Sequence, residues 1–177
     1  MDINEIKELR GRELDARVAQ VLEGWEWVKA STQGNERCAI LVPSNWKRLQ
    51  TVDTSTWQPV DDPTPKCYNW HCALAPSLPL PSYSTDLNTA VMLEATTVSW
   101  GWIWFVNTST NIVTVKVHGS SLDLIAHVKA YTCEIASPVA LRATARCWAF
   151  LLAADKAGLS EVMDMRRKAR SGKREQT

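Results

Sequence analysis

Cys67-Tyr-Asn-Trp-His-Cys72 brings two thiols and an imidazole close together, the side chains that hold zinc. Cys67, His71 and Cys72 would fill three positions, with Cys38, Cys133 or His118 as a fourth. Structural zinc sites show two short-spaced pairs. This chain has one irregular cluster and no second pair, so packed thiols and a satisfied histidine are the plainer reading. A cysteine nucleophile paired with His71, His118 or His127 lacks any recognised flanking context. His118-Gly-Ser120 occurs once where a two-histidine phosphodiesterase needs a matching second motif, and Asp61-Asp62 reads as a turn. The seven glycines include no G-x-x-x-x-G-K phosphate loop. No catalytic, metal or cofactor set assembles from this inventory, and the expectation is a protein that is not an enzyme.

Arg142 and Arg146 stand four residues apart, on one face of the helix that Ser137-Pro138 opens. One reading pairs them with acids such as Glu134. The sharper one is an anion clamp near a helix N-terminus, where the dipole already favours negative charge. Guanidinium groups beside indoles suit a nucleotide, with phosphates on arginine and the base on an aromatic face. Nine tryptophans in 177 residues is several times ordinary usage. Most must be core, and Trp46, Trp57 and Trp70, in the irregular proline-rich region, have the better claim to a ligand or subunit surface. The candidate ligand set is Arg142, Arg146, Tyr83, Asp86, Trp46, Trp57 and Trp70.

The elements that position these residues are legible from periodicity and punctuation. Ile3 to Leu22 is helical in pattern, divided at Gly11 and stopped at Gly24. Trp25, Trp27, Ala39 and Leu41 read as strands around the turn-like Gln33-Gly-Asn-Glu36. Residues 43–80 form an excursion rich in proline and tryptophan, expected to be ordered and packed on the domain because a disordered linker has no core for indoles. Ser84, Thr85 or Asp86 caps a helix through Leu87, Ala90, Val91 and Glu94, and the β-branched Thr96, Thr97 and Val98 switch the preference to strand. Trp100, Trp102 and Trp104 then alternate along one strand face, and the apolar residues on both faces suit a central, doubly covered strand. Asn107-Thr-Ser-Thr-Asn111 is a hairpin connection into a strand through Ile112, Val113, Val115 and Val117. Residues 122–136 fit helix or strand. The clearest helix runs from Pro138 to Gly158. The expected fold class is α/β in the broad sense (α+β), a single compact domain over residues 1–159 with a β-sheet sandwiched between helical layers. A basic tail over 160–177 is a solvated helix or disordered.

Residues 165–177 carry six basic side chains and one acid, a net +5; the whole chain is +1, so residues 1–164 sum to −4. That acidic body argues against nucleic-acid binding, and a solvated helix end is the commoner explanation of the basic tail. Asp2, Glu5 and Glu8 occupy the place of a signal-peptide apolar region, and runs such as residues 100–106 are far short of the ~20 residues a membrane span needs. Five cysteines, an odd number, suit reduced thiols in a cytoplasm.

Gly11-Arg-Glu-Leu-Asp-Ala-Arg-Val-Ala19, Gly24-Trp25, Pro81-Ser-Tyr-Ser-Thr-Asp86 and Ser137-Pro-Val-Ala-Leu-Arg142, taken in order, resemble the phage ABA sandwich domain. They are more distantly similar to NinX-type phage proteins, which share an L-x-G-x-x-L-D start, a Y-S-T-D segment and a late Pro–Ala–Arg helix. The resemblance implies a small α/β domain encoded by a bacteriophage and acting in the host cytoplasm, and it implies no reaction. The long residues 43–80 and the absence of Ala-Ala-Trp after Asp86 depart from the pattern. Together with the arginine–aromatic inventory, the resemblance implies a non-enzymatic phage accessory protein that sequesters a small anionic ligand, a host nucleotide signal being the leading class. The competing expectations are an interaction module that takes a host protein through residues 43–80, and a weak nucleic-acid binder acting through the tail. The tryptophan excess leads us to expect a homo-oligomer, a dimer first, with the tryptophans of the excursion shielded by a partner subunit.

Overall fold

A helix turns 100° per residue, so it buries five consecutive side chains only when it is covered on every side. The computed structural model describes residues 2–30, 39–44, 57–61, 66–67, 80–135 and 137–172. Helix α4, Pro138–Ala157, meets that condition, because residues 147–151 are all buried. Ser137 caps its start by accepting from the Ala140 N–H, and Pro138 occupies the first turn. Its buried alanines, Ala143, Ala145, Ala149, Ala153 and Ala154, let neighbours approach closely, while Trp148 and Phe150 fill the wider gaps.

The other elements pack around α4. Helix α1 (Ile3–Glu8) opens with a capping box between Asp2 and Glu5. Helix α2 (Gly11–Glu23) ends at Gly24, whose φ of +75° supplies the left-handed cap that a side chain would strain. Helix α3 (Leu87–Val98) is capped by Asp86. Helix α5 (Leu159–Gly172) buries Val162, and Arg166 donates to the Gln20 and Val21 carbonyls at the end of α2. The first part of the basic segment is therefore a helix docked on the domain. No helix among the described residues is long and apolar enough to cross a membrane.

Two sheets complete a mixed α+β fold. Strands β1 (Glu26–Ala30), β2 (Ala39–Val42), β3 (Trp57–Pro59) and β4 (Lys66–Cys67) lie in the order β3-β1-β2-β4, antiparallel except for the β2–β4 pair. Trp27, Ala39 and Leu41 join the main core, and Val28, Ile40 and Val42 form a second small cluster under Trp57. Strands β5 (Ile103–Thr108), β6 (Ile112–His118) and β7 (Leu124–Tyr131) form an antiparallel meander in that order. The ambiguous segment after residue 122 thus contributes a strand.

The tryptophan run is corrected in two respects. Helix α3 continues through Thr96, Thr97 and Val98, because the Thr97 hydroxyl is satisfied inside the helix by donating to the Leu93 carbonyl at 2.7 Å. Trp100 and Trp102 then lie in the turn that ends the helix, where both their N–H groups donate to the Thr97 carbonyl and Gly101 adopts φ +80°. Trp104 is the only one of the three in a strand. Trp100 and Trp102 meet edge-to-face at 5.5 Å and both pack on Phe150, so they are core.

Nor is that strand central or doubly covered. β5 is an edge, and α4 lies against one face of the β5–β7 sheet only. Val113, Val115, Val117, Ala126, Val128 and Ala130 point into the core, while Phe105, Lys116, His127, Lys129 and Tyr131 face outward. The apolar outward residues Ile103 and Phe105 had disguised the open side.

One-sided burial has a direct consequence for stability. Val115→Ala is expected to cost about 2 kcal/mol in urea denaturation. His127→Ala, on the outward face, should stay within about 0.5 kcal/mol of the parent. Equal losses would mean that the outer face is covered too.

Candidate functional site

The Gly11–Ala19 and Pro81–Asp86 segments meet each other and Thr144 of α4 in a buried polar knot. Asp15, 1% exposed, accepts from the Ser84 N–H at 2.6 Å and pairs with Arg12 at 3.2 Å. Arg12 also donates to the Leu80 carbonyl at 2.9 Å, the Ser84 hydroxyl donates to the Gly11 carbonyl, and Thr144 donates to the Ser84 carbonyl at 2.9 Å. The start of α2, the turn before α3 and the first half of α4 are thereby tied together. Burial pushes the Asp15 carboxyl above its ordinary range, against the opposing pull of Ser84 and Arg12. Tyr83 is buried beside it and its hydroxyl donates to Glu23, which also accepts from the Trp25 indole N–H at 2.9 Å. Burial first, then the Glu23 charge, holds the Tyr83 phenol well above its usual range. Cys147 is wholly buried and its thiol is raised for the same reason, the opposite of what a nucleophile needs. The carboxyl of Asp15, the Ser84 backbone and the Tyr83 hydroxyl all have partners within the knot, and they hold the elements in place.

The ligand candidates read from the sequence do not come together as one clamp. Arg146 is 12% exposed and pairs with Glu94 on α3 at 2.5 Å, while its Nη1 donates to the Arg142 carbonyl. Its guanidinium is a strut between α3 and α4. Arg142 is exposed on the same helix. The acid suggested for this stripe, Glu134, pairs with Lys7 at 2.9 Å. Asp86 serves as the α3 cap, accepting from the Asn88 N–H and the Thr89 hydroxyl, which together lower its carboxyl. Tyr83 is core, and Trp57 is half-buried on β3 over the second cluster. Trp46, Trp70, His71 and Cys72 lie outside the described residues, and of Cys67 only the backbone, in β4, is described. Among the described residues no group of His, Cys, Asp and Glu is placed to hold a metal ion.

A different place has the geometry of a site. The open face of the β5–β7 sheet holds a concavity of about 960 Å³ lined by Trp104, Phe105, Asn107, Thr114, Lys116 and His118, with Leu122 at its rim. Phe105, 55% exposed, meets the His118 ring edge-to-face at 5.2 Å, and register places Lys116 directly opposite Phe105. His118 Nδ1 lies 2.8 Å from the Leu122 carbonyl. A carbonyl only accepts, so Nδ1 donates this bond, which orients the ring.

Leu122 itself has φ +65° and is 65% exposed, an uncommon pairing for a branched apolar residue. Its N–H donates to the Gly119 carbonyl, which closes the tight turn that holds it there. None of β5, β6 or β7 contains an aspartate or glutamate, while Lys116, His118, His127 and Lys129 all belong to them. On a body that is −4 over residues 1–164, the charges of Lys116 and Lys129 make this a local reversal of sign.

No protein-family model matches the chain, and comparison with curated proteins and with solved structures finds no match. The resemblance to the phage ABA sandwich domain rests on its quoted residues alone, of which Gly11, Arg12, Asp15, Trp25, Tyr83 and Ser84 take part in the knot. The sheet face was missed in the sequence. Its available signal was the acid-free stretch from Trp100 to Tyr131, which Asp123 alone interrupts.

The knot makes two expectations. Asp15→Ala leaves the buried Ser84 N–H without its acceptor, removes the partner of Arg12 and opens a cavity, and is expected to cost about 3 kcal/mol in urea denaturation. The second concerns pH. Because the Asp15 pKa is raised on folding, the folded chain binds this proton more tightly than the unfolded one, and the Asp15 contribution to stability grows as pH falls. From neutral pH down toward the ordinary value of 3.8, the parent should therefore gain stability relative to Asp15→Asn. A constant difference between the two across that window would show that the pKa is not raised.

Proposed function

We propose that the protein is a binding module for a small anionic ligand with a planar ring, a nucleotide being the fitting class, and that the ligand lies on the open β5–β7 face. What carries this reading is the juxtaposition of Phe105, His118 and Lys116 in one solvent-open concavity on an acid-free sheet. Phe105 offers a ring to stack on, Lys116 a cation for phosphate, and His118 a hydrogen-bonding edge oriented by the Leu122 carbonyl. Leu122 walls the rim.

The reading keeps the ligand class expected from the sequence and moves the site from the α4 arginines to the sheet. It is a reading of binding without turnover, in which the protein sequesters or senses its ligand. A phage setting, where sequestering a host nucleotide signal would counter a defence, is supported by the resemblance alone.

Isothermal titration against mono-, di- and cyclic nucleotides tests the reading. Binding is expected, weakened at least tenfold (about 1.4 kcal/mol) by Phe105→Ala and by Lys116→Ala, with circular dichroism unchanged. Arg142→Ala should bind as the parent does. No binding at millimolar nucleotide, or binding indifferent to both sheet substitutions, overturns it. Affinity that climbs with the length of a single-stranded oligonucleotide and falls steeply with salt would replace it with nucleic-acid recognition.

A further inference from the structure

The two edges of the β5–β7 sheet are treated in opposite ways. An edge strand presents unpaired backbone groups that invite another strand, and folded proteins commonly blunt them. On β7 this has been done. Lys7 donates to the Lys129 carbonyl at 2.8 Å, Lys156 donates to the Leu124 carbonyl at 3.0 Å, and the Tyr131 N–H donates to Glu134 at 2.7 Å.

On β5 nothing comparable is present among the described residues. The Ser109 N–H donates to the Ile112 carbonyl, closing the hairpin, and alternation from that bond turns the backbone groups of Trp104, Val106 and Thr108 toward the free side. The strand, Ile-Trp-Phe-Val-Asn-Thr, has no charge, no proline and no bulge. The concavity is lined by successive residues from Trp104 to Thr108, so part of it runs along this edge.

We infer that the free edge of β5 is a docking surface for a second copy of this chain, paired antiparallel about a two-fold axis to make one continuous six-stranded sheet. A two-fold interface must be complementary to itself, and an uncharged strand meets that condition where a charged one would oppose like to like. With the axis at Phe105, the outward backbone groups of Trp104 bond those of Val106 in the second copy. Phe105 then faces its own counterpart at a close, non-hydrogen-bonded position. This gives Phe105 and Ile103, 55% and 40% exposed in the single chain, neighbours along the sheet while the outer face above them stays open to a ligand.

The lysines do not forbid it. Lys116 sits opposite Phe105 in register, so the two copies of Lys116 lie three strand spacings apart, about 14 Å, beyond the screening length of about 8 Å at physiological salt. The partner strand fills the portion of the concavity along Trp104, Val106 and Thr108. The portion over Lys116, His118 and Leu122 stays open. The interface differs from the one expected from the sequence, since it uses no tryptophan of the excursion, and it stands whether or not a nucleotide binds.

Light scattering coupled to size exclusion, on the full chain without added ligand at about 100 μM, is the test. The expected mass is twice the 19.8 kDa of one chain. Phe105→Lys, which sets two cations face to face at the axis on an exposed position, should raise the dimer dissociation constant at least tenfold while keeping the parent's circular dichroism. Val106→Pro, which removes an outward N–H on an edge where proline is tolerated, should do the same. A parent that runs as one chain overturns the inference. So does a dimer that survives both substitutions, since its seam must then lie elsewhere.

Discussion

Complete burial of the middle of α4 is the constraint from which the rest of the structure follows. A helix covered on all sides cannot be the outer layer of anything, so the chain must supply a sheet for one side and helices for the others. It does so with β6 and β7 on one side and with α1, α2, α3 and α5 around the remainder. The alanines of α4 set the close distances, and the aromatic cluster of Trp100, Trp102 and Phe150 closes the end where α3 turns into the sheet. The indole N–H groups of Trp100 and Trp148 are buried without a hydrogen-bond partner among the described residues. Shape and apolar area evidently outweigh that cost, about 1–3 kcal/mol for each such group. For Trp148 the cations of Lys7 and Arg10, 5.3 and 4.8 Å from the ring, add attraction from the outside.

Apolar packing alone says little about register, and the polar knot supplies it. Asp15 must meet one backbone N–H, that of Ser84, and Thr144 must meet one carbonyl, that of the same residue. A helix slipped by one turn along α4 would take Asp15 away from the Ser84 N–H and Thr144 away from the Ser84 carbonyl, leaving those buried groups without partners. The knot thus converts a greasy contact among three segments into a single arrangement, at the expense of desolvating Asp15. Gly11 to Asp15, Ser82 to Asp86 and the start of α4 answer one another in space. Their spacing in sequence reflects the elements that separate them.

What was legible in the sequence was local. Caps and stops depend on one residue and its near neighbours, so Gly24, Asp86 and Ser137-Pro138 could be read directly and stand at the ends of α2, α3 and α4. The α+β class followed from the elements those signals bound. The side of a strand that faces the core is not local. β5 carries apolar residues on both faces, and only the position of α4, set by residues over thirty places later, decides that Trp104 and Val106 turn inward and Phe105 outward. The partner of Arg146 was illegible for the same reason. Four-residue spacing puts it on a face with Arg142, but Glu94, on another helix, determines what that face does. The candidate site was illegible because its lining comes from two strands and a turn whose sequence signals are individually ordinary.

A helix is about 10 Å across and strands are about 4.8 Å apart, so one helix covers two strands and leaves a third outside its shadow. α4 lies over β6 and β7. β5 is the third strand, reached from the core only through the side chains of Trp104 and Val106 and through its short connection to α3. The sheet therefore has one edge within reach of helix-borne lysines, from α1 and α4, and one edge beyond them. This geometry accounts for the capping of β7 without invoking function. It does not account for the composition of β5, where a single lysine or a proline would have blunted the edge at little cost to the core, because every second residue faces solvent. Apolar Ile103 and Phe105 stand at those positions instead, next to an acid-free face and a strained, exposed Leu122. Packing among the described residues supplies no reason for any of the three choices, whereas the ligand and the second copy proposed above would supply one for each.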